Sequence, residues 1–439
     1  QVLLPHKQST LGPRLATADV NGDGLEDFFI GGAGGQSGML YLQQADGTFT
    51  PAPQQPWAAD AASEDMGACF FDPNNNGDPD LYIVSGGGAE YPEGSPALQD
   101  RFYANVGQGT FFKTRNTLPQ MHQSGSTVVA ADFDGDGDED LFVGGQAIPG
   151  RYPFPSRSYV LRNDGKGFTD VTATFAPDLL EPGIVTDALV TDFNDDGRPD
   201  LMVVGEWMPV RCLQNDNGTA LRDVSAEMGT DQLKGWWYSA AAADIDNDGD
   251  TDYILGNLGL NSKFSTSHQK PLYVFAGDFD DTGTTDVVLS KEYQGKLVPT
   301  RGRQCSSEQM PFIKEKFPTY RSFASAGVED ILGKDKVQEA LHLEVKEFGS
   351  GILRNEDGKL VFERLPNLAQ AAPINGIICD DLDGDGFTDL IVAGNKYHTE
   401  VETPRYDAGT GLVLRNDGTG HFQPLPPYQS GFFAPGNVK

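Results

Sequence analysis

Seven times in 439 residues the chain repeats one spacing: Asp at position 1, oxygen-bearing side chains at 3 and 5, Gly at 6 and Asp at 9. The sets are Asp19/Asn21/Asp23/Asp27, Asp72/Asn74/Asn76/Asp80, Asp132/Asp134/Asp136/Asp140 and Asp192/Asn194/Asp196/Asp200. Asp244/Asp246/Asp248/Asp252, Asp278/Asp280/Thr282/Asp286 and Asp381/Asp383/Asp385/Asp389 complete them. Carboxylates crowded this closely disfavour one another's ionised forms, so something positive belongs among them. Alternate side chains of a tightly turning loop converge on one point, and the glycine permits the turn. Hard oxygen ligands in a flexible loop suit Ca²⁺ better than Mg²⁺, which holds its water and demands strict octahedral geometry. Each loop is therefore expected to hold one Ca²⁺, up to seven in all. The first half resembles an EF-hand, but position 12 of the third loop is Val143, and "LFVGG" reads as a strand rather than an exit helix. Turn chemistry alone favours Asp, Asn and Gly, yet does not repeat one register sevenfold.

The formal charge of −32 is thus largely ligand supply, and it argues against nucleic acid, whose phosphates need basic patches. No apolar run is long enough for a membrane span. Gln1 is not an initiator Met, so a missing signal peptide says nothing about secretion. Four cysteines are too few for a disulfide framework. Cys69 and Cys379 fall in apolar strands and read as core thiols, whereas Cys212 and Cys305 stay open.

Small apolar runs precede the loops ("STVVAADF", "WWYSAAAADI") and apolar runs follow them ("DLYIVSGG", "DLMVVGEW"). Then come a third run, a tight turn and a fourth run, as in "YVLRNDGKGFTDV" and "LVLRNDGTGHFQPL". Four antiparallel strands recurring about every 55 residues predict propeller blades, the alanine-rich first strand fitting a crowded central channel.

Asp-x-Asp-x-Asp-Gly-x-x-Asp-Leu, then Gly-Gly and Asn-Asp-Gly-x-Gly-x-Phe, resembles the FG-GAP/VCBS repeat of the integrin α-subunit propeller and of many secreted bacterial propellers. "GNLGLNSKF", "RGRQCSSEQMPFIKEKFPTY" and "SGFFAPGNVK" further resemble large bacterial proteins that join such repeats to an ASPIC/UnbV domain, as in cartilage acidic protein. No ASPIC/UnbV segment is visible, so the resemblance implies a piece of a longer secreted chain with other domains, at the cell surface, outside the cell or in the periplasm.

The expected fold is all-β: a seven-bladed propeller of four-stranded blades with calcium loops and a small helical insertion. Blades are expected near 12–56, 64–116, 125–176, 183–228, 235–293, 294–366 and 373–427, with 428–439 closing the ring or starting a following segment. Loops five and six begin close together, at Asp244 and Asp278, and loop seven only at Asp381. Either blade 5 carries two loops, with "LYVFAGDF" and "DVVLSKEY" as its outer strands, or blade 6 begins at "LYVFAGDF" and holds a long insertion. The first is preferred. Residues 302–345 break the β pattern. A capping box from Ser306 to Gln309 and helical spacing of Met310, Ile313 and Phe317 predict one helix, and "YRSFASAGVEDILG" a second. This insertion is read as an ordered cap over one channel end, either a plug or part of a site.

Binding residues concentrate on variable loops, here those opposite the calcium loops. They present Tyr91, Arg151, Tyr152, Trp207, Asn257, Asn261, Lys263, Lys396, Tyr397, His398 and Arg405, with Trp236 and Trp237 on the same side. Arg301 and Arg303 join the set from the insertion. Aromatics beside Arg and Asn stack on sugars and bond hydroxyls, and they also make protein hot spots. No Gly-x-Ser-x-Gly elbow, His-Glu-x-x-His or phosphate loop is present. Two functions follow: a calcium-stabilised binding, adhesion or scaffold propeller for glycan or protein, or a carbohydrate-active lyase or hydrolase. A pocket with paired carboxylates or an Arg301/Arg303/His398/Glu400/Arg405 cluster would mark the second.

Overall fold

The computed structural model describes residues 1, 3–356, 358–400 and 402–438. Among them are seven four-stranded antiparallel sheets and several short helices, consistent with a seven-bladed all-β propeller. Numbered by their first strands, sheets 1 to 4 span 15–51, 64–113, 125–170 and 184–223, and strand Lys234–Trp236 extends sheet 4. Sheet 5 combines 239–256 with 351–364, sheet 6 combines 272–299 with 341–345, and sheet 7 spans 376–425.

The first strands of sheets 1, 2, 3, 4, 5 and 7 pack one against the next in that order. Their small residues are required by this proximity. A Cβ on Gly67 of sheet 2 would lie 3.0 Å from the Ser126 carbonyl oxygen and 3.1 Å from Thr127 Cα of sheet 3. The second strand of sheet 2, Asp80–Gly86, lies between sheets 1 and 3 and is buried throughout.

Sheet 6 departs from the expected blade boundaries. Tyr253–Leu255 pair with Gly351–Leu353, not with 272–293, so "LRNEDG" completes sheet 5 across the intervening segment. "LYVFAGDF" and "DVVLSKEY" instead form the middle of a separate sheet nested between the second and third strands of sheet 5. The insertion is helical over five short segments between Arg303 and Glu339, but Leu341–Val345 is a strand of the nested sheet. The Ser306 capping box is absent. The Ser306 backbone N–H donates to the Gly302 carbonyl, so this residue already lies inside the helix Arg303–Gln309. A capping box does form further on, between Thr319 and Ser322. Met310, Ile313, Phe323, Val328 and Ile331 pack on Phe275 and Val288 of sheet 6. The helices thus cover the nested sheet and contribute no residue to the lining of the central cavity described below.

Candidate functional site

The seven acidic turns join first to second strands at one end of the sheets. In loop three, Asp132 Oδ1 accepts the N–H of Gly135 (2.7 Å) and Asp136 (3.1 Å), and Oδ2 accepts that of Gly137 (2.9 Å). Gly135 and Gly137 take φ of 77° and 99°, which admits the turn. Carboxylate oxygens of Asp132/Asp134/Asp136, Asp244/Asp246/Asp248, Asp278/Asp280/Asp286 and Asp381/Asp383/Asp385 lie within 4.8 Å of one another in each set. The donors fit a hard divalent cation. Backbone N–H groups of Gly283 and Gly386 hold the exposed Asp278 and Asp381 carboxyls below their ordinary range.

Loops one, two and four differ from these four sets. Asp19/Asn21/Asp23/Asp27, Asp72/Asn74/Asn76/Asp80 and Asp192/Asn194/Asp196/Asp200 do not bring three carboxylates within that distance. All three carry an amide at position 3 in place of one charged oxygen, and loop two has only two carboxylates, Asp72 and Asp80. In loop one, Asn21 Oδ1 accepts the N–H of Asp23 at 2.9 Å and Asp23 Oδ1 accepts that of Leu25 at 2.9 Å. Asp27 is turned inward, to the N–H groups of Val20 and Gln43. In loop two, Asn76 Oδ1 accepts the Asp78 N–H at 2.8 Å, and Asn74 Nδ2 donates to Asp80 Oδ2 at 3.5 Å. In loop four, Asn194 Oδ1 accepts the Asp196 N–H at 3.0 Å and Asp196 Oδ1 accepts the Arg198 N–H at 3.0 Å. The other Asp196 oxygen lies 3.4 Å from the Arg198 guanidinium, so a cation of the chain itself faces it. The same bonds brace loop three, where Asp134 Oδ1 accepts the Asp136 N–H at 3.3 Å and Asp136 Oδ1 accepts the Asp138 N–H at 3.0 Å, so they belong to the turn in both kinds of loop.

The position-9 aspartates have a second task that residue spacing alone did not show. They are buried, and burial pushes Asp140 and Asp200 up to about 7 and Asp80, Asp252 and Asp286 to about 6. Asp140 Oδ1 accepts the N–H of Asn163, at the end of the third strand, at 2.8 Å. That asparagine's own Nδ2 donates to Pro73 of the preceding sheet's loop (2.7 Å). The device recurs: Asn105 reaches Val20, Asn215 reaches Phe133, Asn355 reaches Phe193 and Asn416 reaches Ile245. Each acceptor is the position-2 carbonyl of the previous loop. The signal in the sequence is the Asn that ends "YAN", "LRN" and "LQN" in each third strand.

At the opposite end, a cavity of about 650 Å³ occupies the channel mouth, lined by the starts of first strands and by loops after second strands. Asn375, Asn395, Lys396, Tyr397, His398 and Gln146 contribute polar atoms to it. Glu206 lies at its floor, buried, with His6 Nε2 at 2.7 Å and Lys396 Nζ at 3.5 Å from Oε1. The Tyr152 hydroxyl donates to Oε2 at 3.0 Å and itself accepts from Trp207 Nε1 at 2.6 Å. Burial alone would raise this carboxyl, but His6 and Lys396 override it and bring it down to about 2. Lys396 also lies 3.9 Å from the Tyr238 ring centroid. Arg14 crosses from sheet 1 to Asp187 of sheet 4 at 3.2 Å.

Of the residues expected to bind ligand, Lys396, Tyr397 and His398 line this cavity. Tyr152, Trp207, Trp236, Trp237, Asn257 and Arg301 are buried and do not line it. Trp207 and Trp236 meet edge to face with centroids 5.1 Å apart, Trp237 faces Phe362, and Asn257 Nδ2 donates to the Glu347 carbonyl. The Tyr91 hydroxyl donates to Ala62, exposed Asn261 to Ala371, and exposed Arg151 lies over Phe154. Of the proposed Arg/His/Glu cluster, Arg301 Nε comes within 3.8 Å of Glu400, which Lys263 also meets at 2.9 Å. Arg303 turns away to the Phe317 carbonyl, and Arg405 stacks on Tyr397. Sugar cleavage by paired carboxylates needs two acids about 5 to 10 Å apart. Glu206 is the sole acidic residue among the described residues that line the cavity. It was missed although its signal was legible: one charge inside the apolar run "LMVVGEWMPV" must be paired.

All four cysteines are free, with Cys212 in the core and Cys305 donating to Glu402 Oε1 at 2.8 Å. Among the described residues no helix is long and apolar enough to cross a membrane.

Three stretches, 19–83, 72–143 and 192–255, match the FG-GAP-like repeat. No curated protein sequence matches the chain. Among solved structures, BBS1N in complex with ARL6DN, soaked with mercury, is 12% identical, covers 94% of this chain and 92% of its own, and has a TM-score of 0.40. The V. cholerae biofilm matrix protein Bap1 is 10% identical over 96% of this chain and 73% of its own, with a TM-score of 0.33. With its repeated loops and seven four-stranded sheets, the chain is an FG-GAP-like repeat β-propeller.

Proposed function

We propose that this propeller is a calcium-stabilised extracellular binding or scaffold module that takes a glycan or protein segment at the channel mouth opposite its calcium loops. The observation that carries the reading is the convergence of three carboxylates within 4.8 Å in each of four loops. A cation among them removes their mutual repulsion at the hinge of each sheet. The residues that would hold it are those at positions 1, 3, 5 and 9, with the carbonyl at position 7 as a further oxygen. In loops one, two and four the amide oxygens at position 3 would serve in place of a carboxylate. Such loops in extracellular modules bind Ca²⁺ at roughly 10⁻⁴ to 10⁻³ M, which suits a setting outside the cytosol.

The mouth supports the binding half of the proposal. Its amides, Tyr397 and His398 offer donors and acceptors to hydroxyls or to a peptide backbone, and Glu206 is held in place by His6, Lys396 and Tyr152. Metal bound only to the folded form adds about 2.7 kcal/mol per site at a hundredfold excess over Kd. EDTA should therefore lower the melting temperature by more than about 10 °C, Ca²⁺ should restore it, and Mg²⁺ should do so poorly. A melting curve indifferent to EDTA would refute the calcium reading. A glycan and peptide array probed with wild type and with His398→Ala tests the mouth, and equal capture by both would refute that part.

A further inference from the structure

We propose that the gap between sheet 7 and sheet 1 is a docking slot for one further four-stranded blade of the same repeat, belonging to the same polypeptide. The two sheets that border it present apolar faces made for a neighbouring blade.

Sheet 1 can be compared with sheet 2 through the common loop register. Leu81, Ile83, Tyr103 and Phe111 of sheet 2 face sheet 1 and are 0, 0, 0 and 3% exposed. Their counterparts on sheet 1 are Phe28, Ile30, Tyr41 and Phe49, which by the same register face away from sheet 2. Phe49 is 43% exposed, and Ile30 (40%) and its partner Leu15 (54%) stand where this face meets the mouth cavity, which both of them line. Phe28 stacks on Tyr41 at 5.0 Å and meets Phe49 at 4.9 Å, so the face is an ordered aromatic surface. Sheet 7 shows the complementary defect. Ile245, at position 2 of loop five, is fully buried against its following sheet, whereas its counterpart Leu382 is 42% exposed and Ile378 is 58% exposed.

The asparagine clamp identifies the occupant. Each clamp runs from one sheet to the position-2 carbonyl of the sheet before it in the ring, always between repeats of this one chain. Among the described residues no asparagine reaches the Leu382 carbonyl, and sheet 1 has Gln43 where the others have the clamping Asn. Sheet 6 does not fill the place. Its own position-2 carbonyl, Phe279, is taken by Lys336 of the helices that cover it. A blade that fits must end its third strand in Asn, to meet Leu382. Its other face must be apolar, to cover Phe28 and Ile30. These are the properties of the repeat itself, and they continue an interface already formed five times.

The test extends residues 1–439 at the C-terminus with a second copy of the sheet 3 repeat, 117–176, through a flexible linker. Amide exchange in Leu15–Ala18, Asp27–Ile30 and Gly376–Asp380 should slow about tenfold or more relative to 1–439 alone. Phe28→Glu in the extended chain should abolish the gain. A copy of the sheet 2 repeat, 56–116, serves as a second insert should the first fail to fold. No added protection from either insert would overturn the proposal. So would equal protection in 1–439 alone, which would mean that sheets 7 and 1 close on each other. Sedimentation of 1–439 as a dimer dispersed by Phe28→Glu would also overturn it, because a second copy would then be the occupant.

Discussion

Asn215 ends the third strand of sheet 4, yet its side chain donates to the Phe133 carbonyl of sheet 3 at 2.8 Å and to Pro199 at 3.1 Å. The asparagine is buried, so truncation leaves both acceptors without this donor. Asn215→Ala should cost about 2 kcal/mol in urea unfolding, with m unchanged. Glu206 makes a different kind of contact, ionic rather than neutral. Its folded-state pKa of about 2 lies below its ordinary value of 4.5, so its contribution is present above pH 4.5 and is lost as pH falls toward 2. Glu206→Gln should destabilise the protein by about 3 kcal/mol at pH 7 and flatten the acid limb of the stability–pH curve. An unchanged acid limb would show that the ion pairs with His6 and Lys396 add nothing. The sequence displayed these residues unequally. Asp140 was legible as a loop carboxylate, but its bond to Asn163 joins residues 23 apart and has no local signature. Trp236 and Trp237 read as surface aromatics because residue type does not tell which loops a second layer will cover.

The acidic loops were the most legible elements, because ligand spacing and glycine positions are properties of nine consecutive residues. Spacing alone did not reveal which loops gather three carboxylates, because an amide at position 3 keeps the register while removing a charge, as Asn21 and Asn194 do. They should not bind equally. Loop two offers two carboxylates, Asp72 and Asp80, with Asn74 and Asn76 between, and loop six has Thr282 at position 5. Fewer charged ligands weaken binding. On calcium titration loop two should empty first and loop six before loop three, whose set has four carboxylates, as read by anomalous diffraction at graded Ca²⁺; full occupancy of both with loop three vacant would contradict this. Strands adjoining the loops were equally plain. The helices were legible as a break in alternation, but not their starts. Ser306 resembles a cap only until the Gly302 carbonyl is seen to begin the helix.

At the scale of the whole molecule, the count of seven sheets was legible from seven loops, whereas the assignment of the third strand of sheet 5 was not. Periodicity reads a chain in order, and "LRNEDG" returns to its partner strand only after a complete sheet and five helical segments. The nested unit has its own apolar core, with Ile313 fully buried against the sheet. Amides across 306–326 should exchange slowly in the native protein, and Ile313→Ala should destabilise the nested unit by about 2 to 4 kcal/mol. Hydrogen exchange should show the loss concentrated in 272–345, with sheets 1 to 3 unaffected.

Nesting also orders events in time. Pairing Tyr253 with Leu353 closes a loop of about 100 residues, where other sheets join their second and third strands over a dozen or a few dozen. Leu272 and Val345, the entry and exit of the nested sheet, are direct partners. Once that sheet has formed, the chain that sheet 5 must close shrinks to an effective length of about 27 residues, which lowers the closure cost by about 1 kcal/mol. The nested sheet is therefore expected to fold first and act as a splint, with sheet 5 completed after it. Slowing the nested sheet, as Ile313→Ala would, should delay the burial of Trp237 in a refolding trace while leaving early β-structure formation unchanged.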